Sequence, residues 1–304
     1  MSTLLNSVSS PRIDARHRAV LGAIVLSLII ILRLLRFVRK VVRIRKVSQM
    51  SAVPVFEPMQ FEQLPLRIRE ALAEPAPALA AREFRVAAYA GREPGSGSRW
   101  YHALWVRRAT GDMATISAAD SLNGKPAVAV HPMVVLETRL ANGMSIVTSG
   151  GAALLREAGP EERWLICPEV RDAGDLYNVH RCWVSSNSPT DRVGVLPPAG
   201  EELAAMQREA LAERRRLVGL AYWRQVTDET LQLTWKGAWL LVRRMRPAAK
   251  LARLRQATSK LESLGFWRNG SPRPQGSAFG VLQTGKCPVG HREALRVTPV
   301  DESE

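Results

Sequence analysis

The chain has 304 residues and a formal net charge of +15, with 43 Lys and Arg against 28 Asp and Glu. Residues 1–50 contain ten basic residues and one acid, and residues 236–260 contain eight basic residues and no acid. The rest has 25 basic and 27 acidic residues, a net charge of −2, which argues against a body that is basic throughout, as in a nucleic-acid-binding domain. Three cysteines are too few for a disulfide framework and are typical of a reducing cytoplasm.

The first predicted element is an apolar stretch, residues 19–38. Residues 19–32 carry no charge, but these 14 residues cover only about 21 Å as a helix. Extension to residue 38 gives 20 residues and about 30 Å, the thickness of the hydrocarbon core, because Arg33 and Arg36 can reach the headgroups from the last turns. We therefore predict one transmembrane helix, acting as an uncleaved signal-anchor.

Two other interpretations of this stretch stay open. A cleaved signal peptide would also begin with Arg12, Arg16 and Arg18, but it needs a small-residue cleavage site where the chain instead continues with further arginines. A buried helix of a soluble domain is the second alternative. It is disfavoured because residues 28–32, Leu-Ile-Ile-Ile-Leu, have no polar side to face water.

The flanking charges predict the orientation of this helix. Three basic residues precede it, and seven lie at its end or follow it: Arg33, Arg36, Arg39, Lys40, Arg43, Arg45 and Lys46. The positive-inside rule therefore puts the body in the cytoplasm, on the inner membrane of a bacterium if the Ala- and Arg-rich composition reflects a genome rich in G and C. The helical spacing of residues 33, 36, 40 and 43 predicts a basic face toward anionic lipid headgroups.

The rest of the chain is predicted to be an α+β fold, with an antiparallel β-meander followed by a C-terminal helical pair. The predicted units are an N-terminal extracytoplasmic flank (1–18), a transmembrane helix (19–38), a basic juxtamembrane segment and linker (39–60), an α+β domain with an antiparallel sheet (61–193), a helical subdomain with a short β element (194–266) and a flexible tail (267–304).

The clearest local signal is a β-hairpin between Met133 and Thr148. Two β-rich runs flank Asn142-Gly143, the dipeptide that type I′ turns prefer. Trp164 to Cys167 is a further candidate strand. Consecutive hairpins with no long helix between them predict an antiparallel sheet.

After residue 193 the pattern becomes helical. One helix is predicted from Glu201 to about Arg224, and a short strand covers residues 231–233. Thr234 is the predicted N-cap of a second helix that extends toward residue 264, and Pro247 is expected to kink or divide it.

Residues 217–240 resemble the end of a winged-helix domain. A helix is followed by a short β-wing, and Leu233-Thr234-Trp235-Lys236-Gly237 opens the final helix. The resemblance covers about 25 residues, with no helix-turn-helix pair before it, and implies DNA binding as a less favoured alternative.

The final helix also has the composition of a membrane-surface segment. Trp239 lies beside a cationic group, Arg243, Arg244 and Arg246, and aromatic residues next to cations suit a bilayer surface. A packed helix with core tryptophans and solvated arginines is an equally weighted alternative.

Candidate chemistry is sparse. Asp172, Asp175, Tyr177 and His180 form one polar cluster that could serve catalysis, with His180 expected in or beside a strand. His180, Cys182 and Cys167, and separately Cys287 and His291 in the tail, are the possible metal ligands, but neither set has a standard zinc spacing. We therefore predict no cofactor, no metal and no catalytic site.

Three functional hypotheses follow. The first is a single-pass membrane protein whose cytoplasmic α+β domain acts by binding, as an adaptor or scaffold, with the lipid bilayer, its anionic headgroups and an unidentified protein as partners. The second is a membrane-tethered, winged-helix-like regulator that binds nucleic acid through the segment from Arg214 to Arg255. The third is an enzyme with an unrecognised active site.

Overall fold

A computed structural model describes residues 15–92, 98–121, 132–151, 159, 161–188, 193–267 and 271–272. The helices are α1 (Ala15–Val47), α2 (Leu66–Ala73), α3 (Ala76–Ala80), α4 (Ala173–Asn187), α5 (Glu202–Gly219), α6 (Trp235–Arg244) and α7 (Pro247–Ser263). The strands are β1 (Gln49–Ser51), β2 (Glu57–Met59), β3 (Arg85–Arg92), β4 (Ser98–Arg107), β5 (Asp112–Ser121), β6 (Met133–Arg139), β7 (Ser145–Ser149), β8 (Glu162–Ile166), β9 (Trp223–Gln225) and β10 (Thr230–Leu233).

The larger sheet has seven strands in the order β2-β3-β4-β5-β6-β7-β8. Adjacent strands from β2 to β7 pair antiparallel, as in a meander, but β8 pairs with β7 in parallel. The fold is therefore α+β with a mixed sheet, and the prediction of a purely antiparallel sheet is wrong. The physical reason is that the chain returns to the starting end of β7 before β8 begins, which a hairpin cannot do.

The β6–β7 hairpin forms where it was predicted, but its turn differs from the predicted type. A type I′ turn needs positive φ at both central residues. Among the loop residues only Gly143 has a positive φ, of +84°, and its N–H donates to the Leu140 carbonyl at 3.0 Å. The loop is thus the three-residue kind, in which a left-handed glycine follows the turn and forms a bulge.

One face of the larger sheet packs against α2, α3 and α4. The core between the helices and this face contains these fully buried side chains: Ile68, Leu72, Leu79, Ile116, Leu136 and Leu176. Helix α4 was not predicted, because His180 was expected in or beside a strand. Asp172 caps it by accepting the Asp175 N–H at 2.8 Å. Helix α5 lies on the opposite face. The Phe56 N–H, just before β2, donates to Gln207 Oε1 on α5 at 3.1 Å.

A smaller sheet has the order β1-β10-β9, antiparallel throughout. Residues 39–60, the predicted juxtamembrane segment and linker, contain β1 and β2, which pair with strands far along the chain. The predicted strand near 231–233 forms as β10. Thr234 caps α6 by accepting the Gly237 N–H at 3.1 Å, and Pro247 opens a separate helix, α7, as expected. Most of the predicted tail lies outside the described residues.

Candidate functional site

Helix α1 contains a long apolar surface that the folded body does not cover. Every side chain from Val20 to Arg36 is exposed, and of the described helices α1 is the one long and apolar enough to cross a membrane. The alternative of a buried helix in a soluble domain is therefore wrong. The exposed stretch ends at Phe37, where α1 meets the body.

The last turns of α1 are part of a hydrophobic cluster that we call the α1–α6 cluster. Its buried members come from α1, α5, α6 and the smaller sheet: Val41, Leu217, Tyr222, Trp223, Leu231, Leu233, Ala238 and Val242. Phe37 and Ile44 pack against it from α1, at helical spacing from Val41. The exposed apolar helix is thus continuous with a packed core.

Two contacts between side chains define how α6 lies on α1. The Arg45 guanidinium lies 4.8 Å from the centroid of the Trp235 ring, at the start of α6. The Arg246 guanidinium, just beyond the end of α6, lies 4.6 Å from the Phe37 ring. Helix α6 therefore packs antiparallel to α1, and its C-terminal end reaches the level where the exposed part of α1 ends.

This packing brings the two basic segments of the sequence together. On α1, the exposed basic residues are Arg33, Arg36, Arg39, Lys40, Arg43 and Lys46, whereas Arg45 is partly buried. On the α6 side, Arg243 lies 5.3 Å from the exposed Trp239 ring, and the Arg244 carbonyl accepts the Arg253 Nη2–H at 2.7 Å. The alternative of core tryptophans in α6 is wrong, since Trp235 is 53% and Trp239 46% exposed, and the helix packs through Ala238 and Val242 instead.

Exposed apolar side chains accompany these cations where α6 meets α7. Trp239 is 46% exposed, Met245 42% and Leu251 53%. We call this surface, made of Trp239, Arg243, Met245, Arg246 and Leu251, the basic corner. Exposed aromatic and aliphatic groups beside arginines are the chemistry of a bilayer interface.

A second candidate site is a buried polar network centred on Asp112. This side chain is fully buried, and its carboxylate accepts the hydroxyls of Thr110, Thr138 and Tyr177 at 2.6, 2.5 and 2.9 Å. Arg181 Nη1 donates to it at 2.9 Å. The network joins β5, β6 and α4, so its hydrogen bonds attach α4 to the sheet.

His180 extends this network. Its Nε2 lies 2.8 Å from Thr138 Oγ1, and its Nδ1 lies 3.0 Å from Thr148 Oγ1. Because Thr138 donates its proton to Asp112, Nε2 must donate to Thr138, and Nδ1 then accepts from Thr148. Burial lowers the pKa of His180 to about 4, with a smaller opposing effect from Asp112, so the ring is neutral near pH 7.

The structure brings together only half of the predicted polar cluster. Tyr177 and His180 belong to the network, but Asp172 is the N-cap of α4 and Asp175 lies in its first turn. The expectation of a strand at His180 is wrong, because this residue is on α4. Sequence reasoning missed Asp112, whose only local signal is its place after the Thr110-Gly111 turn.

The possible metal ligands do not converge. Among the described residues, no three His, Cys, Asp or Glu side chains are grouped as a metal ion requires. Cys167 is fully buried, and burial raises the pKa of its thiol to about 12, so it is not a thiolate. Cys287 and His291 lie outside the described residues.

The clefts on the described surface include two open ones of several hundred Å³. One, of about 520 Å³, runs between β8 and α7, where Lys260 Nζ lies 4.6 Å from the Trp183 ring. The other, of about 410 Å³, is acidic, but its arginines already pair internally, Arg139 with Glu209 at 2.6 Å and Arg216 with Glu213 at 2.5 Å. Neither is lined by His180.

Comparisons with protein-family models, with curated proteins and with solved structures find no significant match for this chain.

Proposed function

We propose that this chain is a single-pass protein of a bacterial inner membrane whose cytoplasmic α+β domain acts by binding, as an adaptor or scaffold. The observation that carries the proposal is the antiparallel packing of α6 on the end of α1. A helix with an entirely exposed apolar surface over residues 20–36 continues into the core of the body through Val41. Exposure of such an apolar surface to water is unfavourable in free energy, whereas the hydrocarbon core of a bilayer stabilises it.

The same packing favours an anchor over a cleaved signal peptide. Phe37, Val41 and Ile44 contribute to the α1–α6 cluster, so removal of α1 would expose Leu233 and Val242. A signal peptide makes no such contribution to the mature fold.

The basic corner supplies a second contact with the same membrane. It lies beside Phe37, at the level where α1 leaves the lipid in this proposal, with Arg243 and Arg246 next to exposed apolar groups. Each basic residue near an anionic leaflet contributes about 1 kcal/mol. Because α1 already tethers the body, even a weak second contact is populated and restricts how the domain is oriented.

Binding is favoured over catalysis by the state of the most plausible catalytic group. The His180 ring is fully buried, and both of its nitrogens are used by threonine hydroxyls. A general base must reach a substrate proton directly or through one water. The third hypothesis, an enzyme, therefore has no support from this cluster.

A second candidate function is DNA binding through a winged-helix-like unit. One observation favours it: α5 leads into the β9–β10 hairpin, Thr234 caps the helix that follows, and β1 completes a three-stranded sheet. In this reading α5 would carry the DNA contacts through exposed arginines such as Arg208 and Arg215.

Two experiments test these proposals on the full chain. In intact spheroplasts, we expect externally added protease to leave the body uncut until the membrane is lysed; digestion before lysis would overturn the topology. With the protein in neutral nanodiscs, the adaptor proposal expects no sequence-specific binding to a random DNA library. Enrichment of one sequence, with an affinity that falls steeply with salt, would favour the regulator instead.

A further inference from the structure

We infer that Arg92 and Arg214 form a binding site for a phosphoryl-type oxyanion, between the larger sheet and α5. Arg92 ends β3, and Arg214 lies on α5, which covers that face of the sheet. Both side chains are partly buried, and the Nε of each is buried with no hydrogen-bond partner. The inference is independent of the proposed function.

Helix α5 contacts β3, so Arg92 at the end of β3 and Arg214 on α5 lie on the same side of the larger sheet. The Phe56 ring lies 5.3 Å from the Arg92 guanidinium, and the Phe56 backbone N–H donates to Gln207 on α5. Gln207 and Arg214 are seven residues apart, so they share a face of that helix. Arg214 also contacts the Met50 sulfur on β1, so the site lies where both sheets meet α5.

Neither cation has a dedicated counter-ion. Among the described ion pairs none includes Arg92 or Arg214, and Glu213, the acid beside Arg214 in the sequence, is already paired with Arg216 at 2.5 Å. Burial lowers the pKa of Arg92. Burial, and then the charge of Arg92, lower the pKa of Arg214 to about 10, against a smaller opposing effect of Glu213. Two partly buried like charges destabilise each other unless an anion joins them.

A third group in the same neighbourhood is also incompletely hydrogen-bonded. His102 is 7% exposed, its Nδ1 lies 2.9 Å from Ser117 Oγ, and its Nε2 is buried without a partner. The His102 ring meets the Phe56 ring edge-on at 5.4 Å. Burial, and then the charge of Arg92, lower the pKa of His102 to about 3, so it adds no positive charge but can form one more hydrogen bond.

The donor set indicates the chemical class of the ligand. Two guanidinium groups match the oxygens of a phosphoryl group in fork geometry, and a doubly charged anion compensates both cations. The phosphoryl group can belong to a soluble compound or to a lipid headgroup, because β1 begins only two residues after α1 ends. Both sources have the same recognition chemistry at Arg92 and Arg214.

The test measures thermal unfolding of the full chain in phosphatidylcholine nanodiscs, with inorganic phosphate titrated against sodium chloride at constant ionic strength. A ligand that binds the folded state raises Tm as its concentration passes its Kd. We expect phosphate to raise Tm in the wild type and in the control Arg85→Met, an exposed arginine at the other end of β3. We expect at least a tenfold weaker phosphate response in Arg92→Met and in Arg214→Met.

The same variants separate this site from a merely structural role. Without phosphate, Arg92→Met should unfold at the same or a higher temperature than the wild type, because the repulsion of Arg214 is removed. A lower Tm without phosphate, or a phosphate response equal to that of chloride, would overturn the inference. Nanodiscs that contain phosphatidic acid identify the source: loss of the phosphate response there assigns the site to a lipid headgroup, and an unchanged response assigns it to a soluble phosphoryl compound.

Discussion

The guanidinium of Arg246 lies over the ring of Phe37, 209 positions earlier in the chain, at 4.6 Å from its centroid. Phe37 is the first residue of α1, counted from Val20, that the body covers. This contact places residues 236–260, the second basic segment of the sequence, against the end of the exposed apolar part of α1. The two sources of excess positive charge therefore form one surface.

The smaller sheet and α6 are expected to depend on Leu233, which is fully buried in the α1–α6 cluster. Leu233→Ala removes buried methyl groups and leaves a cavity, so it should destabilise this unit by about 2–5 kcal/mol. Hydrogen exchange of the α6 amides in nanodiscs measures the loss. The control Val226→Ala, at a side chain 54% exposed, should change exchange by less than about 0.5 kcal/mol. Equal exchange in both variants would contradict the cluster.

The basic corner should respond to lipid charge. Replacing Arg243 and Arg246 together by Gln removes about 2 kcal/mol of attraction, a weakening of roughly 30-fold in the contact with an anionic leaflet. Hydrogen exchange of residues 243–251 is measured in phosphatidylcholine nanodiscs with and without phosphatidylglycerol. Protection by phosphatidylglycerol should be lost in the double variant and kept in Arg224→Gln, an exposed arginine on β9. Protection that ignores lipid charge would count against the contact.

Asp112 should be the most sensitive polar residue of the larger domain. Asp112→Asn leaves Arg181 without this counter-ion and turns an acceptor of four hydrogen-bonding side chains into a group that accepts on one side only. We expect a loss of about 3 kcal/mol in the free energy of unfolding, measured with urea. Asp228→Asn, at an exposed site, is the matched control and should have no measurable effect.

We expect the folded protein to lose stability in mild acid, because the buried His180 ring resists protonation. Its pKa is about 4 in the folded protein and 6.5 as a model value, so the unfolded chain binds the extra proton between these two pH values. The stability contributed by the neutral ring is therefore complete above pH 6.5 and lost as the pH falls toward 4, up to about 3 kcal/mol. His102, with its pKa lowered to about 3, acts in the same direction.

The measurement for His180 is the free energy of unfolding between pH 4.5 and 7, in the wild type and in His180→Gln. Glutamine is not protonated in this pH range. The free energy of unfolding of His180→Gln should therefore depend less steeply on pH than that of the wild type, and the dependence that is left is expected to come from His102. A slope that does not change in His180→Gln would show that His180 is not the group responsible.

The sequence alone determined the features that depend on neighbouring residues. The apolar stretch of α1, the Asn142-Gly143 hairpin, the Thr234 cap and the break at Pro247 follow from composition, turn chemistry and backbone geometry within a few positions. The exposed apolar surface of α1 also follows, because no polar face exists to turn toward water. These features yield element positions and the expectation of a membrane span.

Tertiary structure decided which distant residues meet. Val41 and Val242 share one core, Asp112 and His180 belong to one network, and the parallel partner of β7 is β8, none of which any local pattern indicates. Burial then set the chemistry: His180 became a neutral, enclosed ring, although its sequence context suggested a reactive cluster. Pairing over long separations is chosen by the total burial and hydrogen bonding of the fold, which single segments do not encode.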